Sequence, residues 1–132
     1  MLIPRRELKG TVLFNTLEEV NEIFFIEQGC VNIGFEINRG HRFVIRLSSG
    51  GVVGGYNCTF NRKTQFVYQV CQDMEAQTLK KHEWRSLLSD PDYAVLSRSL
   101  RANQEREYLT RIKNRVTAEK AKYLDSLKRR AD

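Results

Sequence analysis

The part of this 132-residue chain whose residue types and spacing suit binding chemistry is GGVVGGYNCTFNRKTQFVY, residues 50–68. Gly50, Gly51, Gly54 and Gly55 fall within six positions, and glycine permits both positive φ and close backbone approach. If Tyr56, Asn57 and the residues after them wind into a helical turn, the first amides point outward and can hold an anion. The basic pair Arg62 and Lys63 follows, and either cation can neutralise a phosphate from that loop. The same letters also describe an ordinary glycine turn before a strand. The segment alone does not choose between cradle and turn.

Other chemistry has little support. The sequence contains no HExxH, GxSxG or GxxxxGK[ST], the spacings that place a metal, a nucleophile or a nucleotide phosphate. His41 and His82 have no acid or nucleophile partner fixed by spacing, and Cys58 and Cys71 have no histidine nearby in sequence. The chain therefore reads as a non-enzyme. Cys30, Cys58 and Cys71 are odd in number and lack CxxC spacing. With two histidines they suit no structural zinc site, and reduced, mostly buried thiols of an intracellular protein are expected.

The elements that must position the glycine stretch come from the patterning around it. In NEIFFIEQGCVNIGFEI, Val31, Ile33 and Phe35 alternate with Asn32, Gly34 and Glu36, a strand period, and Gln28-Gly29 reads as a turn. NRGHR is a hairpin turn, RFVIRL alternates again, and QFVYQV and EAQTLKK supply two more short strands. Short strands at roughly ten-residue spacing indicate an all-β roll or barrel, not a βαβ sheet. HEWRSLLSD then reads as a short helix closed by Asp90-Pro91. A second helix, with Asp92 as its N-cap, runs toward residue 130 without Gly or Pro. Its apolar positions Leu96, Leu100, Leu109, Ile112, Val116, Tyr123 and Leu127 follow helical spacing, with a polar interruption at Asn103, Gln104 and Glu105. Such a helix projects about 55–60 Å at ~1.5 Å per residue. Its distal half is expected to need a partner: a second copy, another part of a larger chain, or solvent. The domains are residues 5–90 for the roll and 91–130 for the helix, acting as lid or coiled coil.

Charge is uneven. Residues 1–97 hold 11 Lys/Arg and 11 Asp/Glu, whereas residues 98–132 hold 11 against 5, so the whole formal charge of +6 lies on the C-terminal helix. That face reads as a solvated helix surface with pairs such as Glu107–Arg111, as a nucleic-acid stripe poor in aromatics, or as a contact for an acidic membrane or partner. No apolar run approaches the ~18–20 residues of a membrane span, and MLIPRRELKG has no signal-peptide core.

The order of these elements resembles the cyclic nucleotide-binding domain. FFIEQGCVNI is similar to that family's strand–turn–strand motif, KGTVLFNTLEEVNEI to the segment before it, and the likeness covers about residues 5–115. It implies a mainly β fold, a roll of the double-stranded β-helix or jelly-roll kind, followed by a short helix and a long C-terminal α-helix. The family's helix before the roll is mostly missing, so the chain reads as a fragment cut close to its first strand. LEEVNEIFFIEQG and GGYNCTFN further resemble cytosolic domains of ciliate potassium or cation channels. This implies a cytoplasmic domain of a membrane protein, tetrameric in the full protein, with other channel segments or subunits as partners and no nucleic acid.

In working members, the resemblance implies, a phosphate-binding cassette reads Phe-Gly-Glu, a short helix, then Arg-Thr or Arg-Ala. The Glu takes the ribose hydroxyl, the Arg takes the cyclic phosphate, and the last helix closes as a lid. Here Val53-Gly54-Gly55 falls on Phe-Gly-Glu, so Gly55 replaces the acid. Lys63-Thr64 falls on Arg-Thr, with Arg62 as the alternative, and Gln65 replaces a small residue. The implied ligand-binding set is thus Gly54, Gly55, Tyr56, Asn57, Arg62, Lys63 and Thr64. Losing the acid and the arginine fork predicts affinity weaker by roughly 10²–10⁴-fold. The expectation is a regulatory module with a degenerate site, cAMP or cGMP binding weakly at most. The alternatives are a genuine cAMP/cGMP sensor, with backbone amides of Gly55 and Tyr56 replacing part of the lost contact, and a DNA-binding regulator of the bacterial receptor type. The latter needs a recognition-helix pair after the long helix.

Overall fold

The computed structural model describes residues 1–131. Six strands form one antiparallel sheet: β1 (Ile3–Glu7), β2 (Val12–Phe14), β3 (Glu22–Ile37), β4 (Gly40–Leu47), β5 (Val52–Val53) and β6 (Val67–Lys80). Their order is β1-β6-β3-β4, with β2 also on β6 and β5 also on β3. The sheet curls into a β-roll around a core that includes Phe14, Phe24, Ile33, Val53, Val70 and Met74. The period-two pattern in β3 holds in part: Val31, Ile33 and Phe35 are buried and Glu36 is exposed, but Asn32 is half-buried and Gly34 is buried as well. Helix α1 (Gly55–Phe60) interrupts the strands, and α2 (Lys81–Leu88) follows them.

Two strand readings need correction. Gln28-Gly29 does not reverse the chain: β3 runs through it, pairing with β6 from Glu22↔Lys80 to Gly34↔Val67 with register shifts at Gln28 and Cys30. Gly29 is the bulge residue, at φ +88°, and a Cβ there would run into the backbone of Asp73 and Met74. Glycine signals a bulge as readily as a turn, because both need positive φ. QFVYQV and EAQTLKK likewise fall mostly within one strand, β6 (Val67–Lys80). Continuous pairing with β3 holds the polar residues between them extended.

The C-terminal helix also departs from expectation. Asp90, not Asp92, is the cap: its side chain accepts from the Asp92 amide and starts a 3-10 turn, Pro91–Tyr93, that leads into α3 (Ala94–Glu107). A π-helical turn, Tyr108–Lys113, joins α3 to α4 (Asn114–Ala131). The distal half finds its partner within its own chain. Val116 is fully buried, and the Tyr123 ring packs against Phe35 with centroids 6.3 Å apart. Among the described residues no helix is long and apolar enough to cross a membrane.

The expectation of three reduced thiols fails for two of them. Cys30 and Cys71 are joined by a disulfide, with Cα atoms 5.5 Å apart. The register shift between Cys30↔Gln72 and Val31↔Val70 leaves Cys71 as the extra residue on β6 beside Cys30, within bridging range. Cys58 is free and buried, and burial pushes its thiol up to about 11. Alkylation is therefore expected to leave the native, non-reduced protein unlabelled, to label one cysteine after denaturation, and to label three only after reduction. Intact-mass spectrometry checks this; three labels without reductant would remove the disulfide.

Candidate functional site

The glycine stretch builds one wall of a cavity. Gly50 and Gly51 make the turn between β4 and β5, with the Gly51 amide donating to the Ser48 carbonyl at 2.8 Å. Gly54 sits at φ +88° and caps α1, its carbonyl accepting from the Cys58 amide at 3.0 Å. A Cβ on Gly54 would lie 2.8 Å from the Glu22 carbonyl oxygen and 2.9 Å from Val20 Cγ1. This glycine is required by both conformation and space.

Helix α1 is held from outside the cavity. The Thr59 hydroxyl donates to the Gly55 carbonyl at 2.6 Å and accepts from the Trp84 indole at 2.9 Å. Arg85 reaches the Thr59 carbonyl at 3.3 Å, placing a cation at the negative end of a short helix. The Asn57 amide side chain donates to the Arg62 carbonyl at 3.1 Å, and the Arg62 amide donates back to the Asn57 carbonyl at 3.0 Å. That pair closes the loop after α1.

The opposite wall is the C-terminal helix. The cavity, about 260 Å³, is bounded by Gly54, Gly55, Tyr56 and Asn57 on one side and by Gln104, Tyr108 and Arg111 on the other. The end of the Gln104 side chain rests against Gly55: a Cβ built there would meet its Oε1 and lie 3.1 Å from its Cδ. Tyr108 stacks on Tyr56 with centroids 3.9 Å apart, and Phe66 approaches the Tyr108 ring edge-on at 6.4 Å. Tyr108 is 4% exposed, and burial pushes its phenol up to about 12. Tyr68, fully enclosed beneath the cavity, is pushed up further for the same reason.

Of the residues singled out in the sequence, Gly54, Gly55, Tyr56 and Asn57 come together in this cavity. Arg62 and Lys63 are exposed on the loop after α1 and do not line it. Thr64 is buried, its hydroxyl donating to the Phe66 carbonyl at 2.8 Å; it also lies off the cavity wall. The guanidinium that does reach the cavity is Arg111, paired with Glu107 at 2.9 Å. No acid stands at Gly55, so a ribose hydroxyl would meet the Gln104 amide there. Sequence reasoning missed Gln104 and Tyr108 as site residues. The polar break at Asn103–Glu105 was their signal, since a polar residue facing inward interrupts an apolar stripe. Among the described residues no group of three or more His, Cys, Asp or Glu is placed to hold a metal ion.

No protein-family model matches the sequence, and no curated protein matches it. Solved structures do match. The EAL enzyme Bd1971 in its half-site-occupied form superposes with a TM-score of 0.66 at 17% identity, over 81% of this chain and 98% of that one. The CLP global regulator of Xanthomonas campestris, described as c-di-GMP responsive, gives 0.64 at 15% identity, over 82% of this chain and 54% of that one. The regulatory domain of Toxoplasma gondii PKA, crystallised with cAMP, gives 0.60 at 13% identity. There the match covers 64% of this chain and 33% of that one, so this chain spans only about a third to a half of the latter two. At such identities the likeness is one of fold, and that fold is the cyclic nucleotide-binding β-roll with its C-terminal helix.

The two adjacent glycines should respond differently to alanine. Gly54→Ala meets backbone at a left-handed φ and is expected to cost about 1–3 kcal/mol. Gly55→Ala meets only the movable end of Gln104, and is expected to cost under about 1 kcal/mol. Urea denaturation of both variants checks the contrast; equal losses would contradict it.

Proposed function

We propose that this chain is a regulatory module whose nucleotide cavity is degenerate and closed by its own helix, and which works by transmitting the position of that helix. The observation that carries this reading is Gln104 against Gly55, beside the Tyr108–Tyr56 stack. The helix occupies the wall where the family's acid would receive a ribose. A ligand moves such an equilibrium only through different affinities for the open and closed helix. Here Gln104 and Tyr108 supply protein contacts that favour the closed state. The module performs no catalysis on this reading. Any cAMP or cGMP binding is weak, with Gly54, Gly55, Tyr56 and Asn57 as its contacts and Arg62, Lys63 and Thr64 reachable only after the loop rearranges.

Calorimetry with cAMP and with cGMP tests the cavity. No saturable binding is expected below about 100 µM, whereas a Kd under about 10 µM for either would overturn the reading in favour of a true sensor.

The setting we propose is the cytoplasmic side of a tetrameric ion channel, supported by the channel-like phrases LEEVNEIFFIEQG and GGYNCTFN. Fractionating cells that express the full natural protein tests it. Recovery in membranes after alkaline carbonate washing is expected; quantitative recovery in the soluble fraction would exclude the channel setting while leaving the closed cavity untouched.

A further inference from the structure

One helical turn beyond the glycine cavity, α4 and the β3–β4 hairpin enclose a second cleft of about 600 Å³. His41, Arg42 and Phe43 line it from the strand, and Arg115, Ala118 and Glu119 from the helix. It shares no lining residue with the glycine cavity. Among the described residues neither Arg42 nor Arg115 forms an ion pair. The cleft's one carboxylate, Glu119, is already engaged by Lys122 at 3.6 Å. Glu36 stands opposite His41 in the hairpin register but does not line the cleft.

Two guanidiniums and an imidazole therefore line one space against a single carboxylate, Glu119. Arg42 is held in place, its guanidinium carbon 5.1 Å from the Tyr123 ring centroid. A guanidinium fixed on an aromatic face loses little freedom when it binds, and its fork matches two oxygens of one phosphate. Phe43 and Ala118 add apolar surface to the lining beside the cations. A single carboxylate satisfies one fork, whereas a phosphate with two or more negative charges satisfies both.

We propose that this cleft is a binding site for a phosphate group carrying at least two negative charges, seated between Arg42 and Arg115. Because one arginine belongs to the sheet and the other to the helix, the ligand bridges them and exists as a ligand only for the docked helix. Binding thus favours α4 on the roll. The site is independent of whether the glycine cavity takes a nucleotide.

The chemistry is shared by free phosphates and phosphorylated lipid headgroups, and two arms separate them. Inorganic pyrophosphate is titrated into the full chain at constant ionic strength by calorimetry, with amide exchange followed across residues 114–127. Vesicles containing a phosphatidylinositol phosphate are tested in parallel by co-sedimentation. One saturable site with slowed exchange in α4 is expected with pyrophosphate; capture by the phosphoinositide vesicles alone would assign the same site to a lipid headgroup. In either arm Arg115→Gln, which leaves the Arg42–Tyr123 contact in place, is expected to weaken binding about tenfold or more. Its unliganded circular dichroism should be unchanged, and Arg42→Gln should weaken binding similarly. Absence of saturable binding to both probes up to about 1 mM, or undiminished binding by Arg115→Gln, would overturn the proposal.

Discussion

The antiparallel pairing of β3 with β6 is the constraint on which the other elements depend. It brings residues 22–34 against residues 67–80 in reverse order, so every segment between them must leave and return within that frame. Helix α1 and its loop are the excursion on one side. Helix α2 begins where β6 ends, with the Lys81 amide donating to the Asn21 carbonyl at 2.8 Å. The bulge at Gly29 bends this long ladder, and the bend lets a flat pairing enclose a core. Antiparallel contacts of such long sequence separation form late and cooperatively, so local propensity in the short pieces matters less than the register that joins them.

On that frame, the helix 94–131 is fastened at two places of different character. Near the glycine wall the contact is aromatic stacking plus one amide side chain, in a small space with little water. Farther along, Val116 and Tyr123 press on the sheet beside a cationic opening. The first contact bounds a cavity of about 260 Å³. The second leaves charge without a partner. Regulation by such a molecule would rest more on what holds the distal helix than on what enters the ancestral cavity.

Much of this was legible in the residues. Alternation in Val31–Phe35 fixed the buried face of β3, and the spacing of Gly54 and Gly55 before Tyr56 marked a helix entered through positive φ. The replacement of an acid by Gly55 was visible as a letter. What filled the place was not, because Gln104 lies about fifty residues away and its facing depends on helix rotation. The Cys30–Cys71 bond was hidden for a similar reason: it follows from a register shift between strands 41 residues apart, and spacing within the sequence carries no trace of it. Gly29 was misread as a turn since bulge and turn ask the same thing of a backbone. Helical periodicity in residues 96–127 was real, but a pattern counted at 3.6 residues per turn cannot register a single wider turn inside it.

That wider turn, Tyr108–Lys113, acts as a gear offset. A π turn carries about one residue more than an α turn, and one residue is worth about 100° of rotation. With that offset Tyr108, Val116 and Tyr123 fall within about 40° of one another around the axis and pack into one core, whereas uninterrupted α-winding would turn Val116 about 80° and Tyr123 about 60° from Tyr108. If the turn tightened to ordinary winding, everything beyond it would swing round as a body and leave the sheet, with Tyr108 still seated. The helix thus meets the roll at two places whose relative rotation is set by that one turn.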